Sequence, residues 1–312
     1  MAESDAGKGV TEIEVERVEG WERYGWLRHG FSTRVGGVST VYGGNSLNLG
    51  WTKEDEPSLV TENRRRFVDA AAGKKCGKAG FSLVTVRQIH SGIVQVVREG
   101  DGALEGKLQT SDGKAVLQGD GLMTNVPGVM LGVGTADCVP VLVVDAKKRA
   151  VAAFHAGWRG TVARIVEHGI ERMRLEYGSQ PEDLLAAVGP SIGACCYAVG
   201  AEVRAEFASQ FGYADQLFRE VSGTSSPQLY VDLWEANRRQ LLDAGVKESR
   251  IAVVGECTAC ARDVGGALRY FSHRGEHGVA GRMMSVVGIC RDDETAIDGT
   301  GADSESAARV GQ

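Results

Sequence analysis

A thiol and an imidazole bracket the segment ADCVPVLVVDAKKRAVAAFHAGWRG, Cys138 near its start and His155 near its end. Two apolar runs flank the polar turn Asp145-Ala146-Lys147-Lys148, which is the pattern of a β-hairpin. A two-residue loop at Ala146-Lys147 sets Cys138 opposite His155, on one sheet face with Cβ atoms about 4.5–5.5 Å apart. That spacing suits two ligands of one metal ion. Pro140 signals a bulged register or an edge strand. His90 ends another predicted strand in SLVTVRQIHSGIVQVV, and the Ser91-Gly92 turn after it leaves the imidazole at the exposed end of the sheet, as the natural third ligand. Two imidazoles and a thiolate leave an open position on a tetrahedral zinc, as catalytic sites require, whereas a structural site normally has a fourth protein ligand. With Cys138 alone, a Cys–His nucleophile arrangement is equally permitted.

The elements that must position these residues alternate between the two periodicities. Strands are predicted over Leu83 to Ile89, Ile93 to Arg98, Val129 to Val133, Val139 to Val144, Ala150 to Phe154, Ile251 to Val254 and Ser285 to Ile289. Helical spacing occupies Pro57 to Ala72, Thr161 to Tyr177, Ala201 to Phe211 and Tyr230 to Ala244. Several strands follow one another through short turns, so a mixed or antiparallel sheet is favoured over a doubly wound parallel one, within a single α+β domain. That domain is expected over residues 11–290, with a Gly- and charge-rich surface insertion at 99–119 between two core strands. Residues 1–10 and the polar, acidic stretch 291–312 read as flexible.

The 312 residues suffice for a sizeable core, and the 43 glycines are about twice the usual share of roughly 7%, which implies many tight turns and close backbone approaches. A net charge of −6 argues against a general nucleic-acid binder, which needs a basic surface. No run is long enough for a membrane span and the start MAESDAGKGV has no apolar signal core, so a cytoplasmic protein without a membrane partner is expected. The seven cysteines show no disulfide-framework spacing. Cys257 and Cys260 form a CTAC motif without a second CxxC, and the vicinal pair Cys195-Cys196 reads as packing.

The segments HGFSTRVGGVS, NSLNLG, ENRRRF, QIHSG, GDGLMTNVPGV, TADCVPVLVVD, FHAGWRGT, VGPSIGACCYAVG, VDLWEANRRQL, the CT of Cys257-Thr258, and YFSHR with GR downstream run in one order from about His29 to Arg282. In them the chain resembles the YfiH/laccase-domain family, whose members are also called multicopper polyphenol oxidase-like or purine nucleoside phosphorylase-like proteins. The resemblance implies a central β-sandwich-like core flanked by helices and a zinc site on His90, Cys138 and His155. It also implies phosphorolysis of adenosine, inosine, guanosine or methylthioadenosine, with deamination of adenosine as a further activity. Other members are described as copper-dependent, laccase-like oxidases, and bacterial ones as editors of peptidoglycan precursors. Ala198 departs from the usual CYEVG pattern, so no role of that glutamate carries over.

Zinc can lower the pKa of a bound water to about 7, which would allow attack on C6 of adenine while a carboxylate moves protons. Asp120 in GDGLMT and Asp137 beside Cys138 are the catalytic candidates, although alternation turns Asp137 to the opposite face on a regular strand. For phosphate and nucleoside the candidates are Arg34, Arg159 and Arg274, which offer planar bidentate contacts, together with His29, whose other expected role is to satisfy backbone groups. His273 and Cys257 sit in matching motifs, and Arg64, Arg65 and Arg66 read as a solvated helix face. Copper is the alternative metal, with Met283 or Met284 as a weak sulfur ligand, but the six histidines are too few for a conventional multicopper cluster. A metal-stabilised binding or regulatory protein and a metal-free Cys–His hydrolase complete the alternatives.

Overall fold

The computed structural model describes residues 12–73, 76, 80–221 and 228–291. The two stretches expected to be flexible lie outside these, Arg291 aside. Two sheets are packed face to face. The first runs in the order Val15–Glu16, Leu27–Ser32, Met283–Ile289, Val129–Thr135 and Ser82–Thr85. The second runs Ile251–Val253, Leu184–Val188, Val139–Asp145, Ala150–Ala156, Gly121–Thr124 and Val94–Val97. Both are mainly antiparallel, with parallel pairs at their margins such as Ser82–Thr85 beside Val129–Thr135 and Val94–Val97 beside Gly121–Thr124. A smaller antiparallel sheet joins Ala198–Val199, Gln228–Val231 and Phe218–Val221.

Period-two alternation explains how one strand serves two layers. From Val139–Asp145, Leu142 and Val144 face the inter-sheet core with Phe31, Leu131, Val133 and Val287. Val141 and Val143 face outward, beneath Ile165, Ile170, Met173 and Leu241 of the covering helices. Met130, Met284 and Val286 on the outer face of the other sheet are covered by Phe67 and Ala71 of the helix Pro57–Ala72. The result is the expected α+β sandwich-like core with helices on both outer faces. No helix among the described residues is long and apolar enough to cross a membrane.

The helix expected over Thr161 to Tyr177 is divided into Trp158–Val162 and Ile165–Tyr177. Arg164 between them takes a left-handed φ of 53°. The helix expected from Tyr230 begins at Leu233, because Tyr230 and Val231 pair in a strand and Asp232 caps the helix by accepting from Glu235 N at 2.9 Å. The Asp-x-x-Glu spacing was a legible start signal. Cys76 and Cys290 are joined as a disulfide, which the cysteine spacing had not announced.

His29, expected either to contact substrate or to satisfy backbone groups, takes the second role as a core residue at 3% exposure. Its ring packs beside Trp21, its Nε2 accepts the Val18 backbone N–H at 2.9 Å, and it lines neither cleft described below. Burial, aided by the charge of Arg17, lowers its pKa to about 4. The unfolded chain therefore takes up a proton near pH 6.5 that the folded one refuses until about pH 4. Folding stability from this site is complete above pH 6.5 and lost as pH falls towards 4, by about 3 kcal/mol. A His29→Gln variant, less stable at pH 7, should have a urea midpoint that falls less than the wild type's between pH 7 and 4.5. Parallel acid dependence of the two proteins would remove His29 from this role.

Candidate metal centre

Cys138 and His155 lie at one end of the hairpin Val139–Asp145 and Ala150–Ala156, but the register differs from the expected one by two residues. Pro140 pairs with His155 and Asp145 with Ala150, so the loop has four residues, 146–149, and not two. Asp145 sets this loop by accepting from the backbone N–H groups of Lys147 at 2.9 Å and Lys148 at 3.0 Å, and Arg149 completes it at a left-handed φ of 48°. A slip of one residue would have sent the two side chains to opposite faces, whereas a slip of two keeps them on the same face as diagonal neighbours. Continued by one step, the register sets Cys138 against Gly157. A Cβ on Gly157 would stand 2.8 Å from the Cys138 Sγ and 3.5 Å from His90 Cδ2, so the glycine leaves the thiol its space. Pro140 is neither at an edge nor in a bulge: its strand is central, and its carbonyl accepts from Gly189 N at 2.9 Å.

His90 arrives from the neighbouring layer. Its predicted strand ends early, at Thr85, and Gln88 then pairs through both amide atoms with the backbone of Gly134, at 2.8 Å each way. His90 itself has a φ of 60°. The candidate ligand atoms of His90, Cys138 and His155 all lie within 4.8 Å of one another, and the two imidazoles meet edge to face at 5.1 Å. This donor set fits one tetrahedral zinc or copper ion with a position left over.

Asp120 organises the centre without facing the cleft. Fully buried, it accepts from His155 Nδ1 at 2.9 Å, from the backbone N–H groups of Ile89, His90 and Ser91 at 3.2, 3.0 and 2.6 Å, and from Ser91 Oγ at 2.8 Å. Burial alone would raise its pKa, but the bonds from His155 and Ser91 outweigh it and hold the carboxyl at about 2. With Nδ1 occupied by Asp120, Nε2 is the nitrogen His155 would offer to an ion once it gives up its proton, as in carboxylate–histidine–metal arrangements. Cys138 and His155 also perturb each other. Burial opposes both charges, yet the imidazolium draws the thiol pKa down while the thiolate and Asp120 hold the imidazole pKa up.

Asp137, at a φ of 90°, is not part of the convergent group of donors. Its Oδ1 accepts from Thr258 Oγ1 at 2.8 Å and Ser272 Oγ at 2.7 Å, and its Oδ2 from Arg274 N at 2.6 Å. It therefore ties two distant loops to the residue before Cys138. Arg34 is also committed elsewhere: it donates to the carbonyls of Tyr42 and Tyr270, pairs with Glu276 at 3.1 Å and covers the Phe271 ring. Neither cleft includes Arg34, which corrects its expected substrate contact.

The three donors open into a cleft of about 800 Å³. Its walls carry Lys53, Arg64, Arg87, Lys114 and Arg282 against one carboxylate, Glu54, together with Trp51 and His273. Arg64 was expected on a solvated face. It lies instead with its guanidinium 4.5 Å from the Trp51 ring centre, and burial lowers its pKa to about 10, whereas Arg65 and Arg66 do pair with Glu62. Lys114 comes from the stretch expected to be a surface insertion, which folds back to reach the cleft. Arg159 and Arg274 line a second cleft of about 690 Å³ with Trp158 and Tyr197. Arg274 there donates to the Ala198 carbonyl at 2.6 Å.

Residues 28–290 match the family described as multi-copper polyphenol oxidoreductase laccase. The purine nucleoside phosphorylase YlmD of Geobacillus stearothermophilus is 36% identical over 280 residues, covering 86% of this chain and 95% of its own. The adenosine deaminase RL5 of an unknown prokaryotic organism is 39% identical over 234 residues, covering 74% and 84%. Among solved structures, the hypothetical protein YfiH of Bacillus licheniformis superposes with a TM-score of 0.74 at 32% identity, covering 89% of this chain and 96% of that one.

Proposed function

The chain belongs to the YfiH-type laccase-domain family, and from that premise we propose that it is a cytoplasmic, zinc-dependent purine nucleoside phosphorylase. The observation that carries this reading is the charge of the cleft over His90, Cys138 and His155, lined by five cationic side chains, of which Lys53 pairs with Glu54 at 3.8 Å and Lys114 with Asp112 at 2.7 Å, leaving Arg64, Arg87 and Arg282 without a carboxylate partner among the described residues. Phosphorolysis requires an inorganic anion beside the ribose, whereas oxidation of a phenol needs no cationic wall. A volume of about 800 Å³ also lies within the range of small-molecule sites.

In this reading His90, Cys138 and His155 hold the metal, which when bound supplies a Lewis acid at the floor of the cleft. Asp120 keeps His155 in the ligating tautomer. Arg87, Lys114 and Arg282, which line the cleft as Arg34 does not, grip phosphate by exchanging their contacts with Gln118, Asp112 and the Ala280 and Gly281 carbonyls. His273, exposed on the cleft wall, is the imidazole placed to give a proton to the departing purine. Arg274 positions Asp137, and Arg159, whose charge reaches Tyr197 near Cys138, contacts the part of the substrate extending to that side. Deamination of adenosine at the same centre is the second reading, supported by the similarity to a protein named adenosine deaminase.

The test combines metal quantification with adenosine, inosine, guanosine and methylthioadenosine, each with and without phosphate. Zinc-loaded protein should release free purine and ribose 1-phosphate (5-methylthioribose 1-phosphate from methylthioadenosine) only when phosphate is present. Inosine formed from adenosine without phosphate would favour deamination. Copper-dependent oxygen uptake with no nucleoside consumption would overturn both readings.

A further inference from the structure

The CTAC motif, which lacks a second CxxC in the sequence, has partners in space. Cys195 and Cys196 lie in a turn closed by Cys196 N and Tyr197 N donating to the Gly193 carbonyl at 2.9 and 3.0 Å. Cys257 and Cys260 lie in another, closed by Ala261 N on the Cys257 carbonyl at 2.8 Å. Backbone bonds stitch the two turns together, Ser191 N to the Glu256 carbonyl at 3.2 Å and Thr258 N to the Ser191 carbonyl at 3.1 Å. Neighbouring side chains diverge on an extended strand, but the first turn brings Cys195 and Cys196 together. As a result all four sulfur atoms lie within 4.8 Å of one another.

We propose that Cys195, Cys196, Cys257 and Cys260 form a second metal site, a structural tetrathiolate that takes Zn(II). Zinc–sulfur bonds of about 2.3 Å require sulfur–sulfur edges of about 3.8 Å in a tetrahedron. Cys195 and Cys260, 65 residues apart, already stand at 3.7 Å. Gly193 N donates to the Cys257 sulfur at 3.3 Å, the kind of backbone bond that supports a thiolate ligand. None of these residues belongs to the His90–Cys138–His155 centre. Binding breaks up to four S–H bonds and forms four Zn–S bonds, the protons passing to solvent, so no oxidant or reductant is needed. Four protein ligands close the coordination sphere, which marks the site as structural.

The consequence is a fastener for the wall around the first centre. One turn carries Tyr197 and is followed by Ala198, whose carbonyl holds Arg274. The other carries Thr258, whose hydroxyl holds Asp137, the neighbour of Cys138.

The test uses full-length protein stripped of metal by chelation under anaerobic conditions that leave the Cys76–Cys290 disulfide closed, and titrated with Co(II) alone. Wild type should bind two ions. Cys138→Ala should bind one, with the intense charge-transfer absorption of several thiolates, and the Cys195→Ser/Cys260→Ser double variant should bind one with the weak absorption of a single thiolate. Zinc should also slow alkylation of Cys195 and Cys260 in unmutated protein by about tenfold or more, a measurement independent of whether the double variant folds. The proposal is overturned if Cys138→Ala binds no cobalt or shows only weak sulfur absorption. Alkylation of Cys195 and Cys260 at the same rate with and without zinc would overturn it equally, and neither result depends on any activity of the enzyme.

Discussion

Replacing Cys138 by alanine is expected to leave a folded protein that loses the metal of the His90–His155 pair and at least about 10³-fold in kcat/KM for purine phosphorolysis, or about 4 kcal/mol of transition-state stabilisation. Two imidazoles alone make a far weaker site than two imidazoles and a thiolate, and the lost ligand carries the negative charge. The fold should survive, because Cys138 precedes the strand Val139–Asp145, whose own residues are buried on both faces. His155 would lose the thiolate that raises its pKa but keep its Asp120 bond. Metal analysis, thermal melting and the phosphate-dependent assay together decide the outcome. His90→Ala should give the same result, because both residues act through the ion. A Cys–His hydrolase using Cys138 as a nucleophile would instead lose activity in Cys138→Ala while wild type stayed active after chelation, and that result would remove metal dependence.

The convergence of Cys138 and His155 was legible because hydrophobic runs on both sides of a polar turn define a hairpin whatever its loop length. Its register was not, since that depends on Asp145 folding its carboxylate onto two backbone N–H groups, a local bond that competes with the shorter turn. An even error left the face unchanged, which is why Cys138 and His155 still converge under a different pairing. The helix Pro57–Ala72 coincided with its expected bounds, where Pro57 stands at the first turn and apolar residues recur on one side. Charged groups were less legible. Arg34 reads in sequence as a substrate contact and Arg64 as part of a solvated helix face, and tertiary packing reverses them, sending Arg34 to Glu276 and the Phe271 ring and Arg64 to the cleft beside Trp51. The four-cysteine cluster escaped for a related reason: its halves are remote in sequence, and a vicinal pair does not advertise itself as half of a metal site.

Asp120 was expected to move protons, whereas its contacts predict that Asp120→Asn acts through the metal and the fold. An asparagine can turn its carbonyl or its amide towards His155, and both choices fail. With the amide towards His155, the ring must accept at Nδ1 and carry its proton on Nε2, which removes the lone pair needed by the metal. With the carbonyl towards His155, the amide meets the Ser91 N–H and the Ile89 N–H, donors that have lost their acceptor. Each unmet buried donor costs about 1–3 kcal/mol, so a loss of about 3–5 kcal/mol in folding stability is expected, with metal affinity down by about 10–100-fold. Denaturant unfolding and competition with a metal chelator measure the two effects separately. If Asp120 only positions His155, saturating zinc should restore most of kcat and leave the shape of the pH–rate profile unchanged. Normal zinc affinity with kcat still depressed, and the acid limb of the profile gone, would return Asp120 to the role of proton carrier. The low pKa that the surrounding donors give it, about 2, weighs against that role, because a carboxylate held so acidic is a poor base at neutral pH.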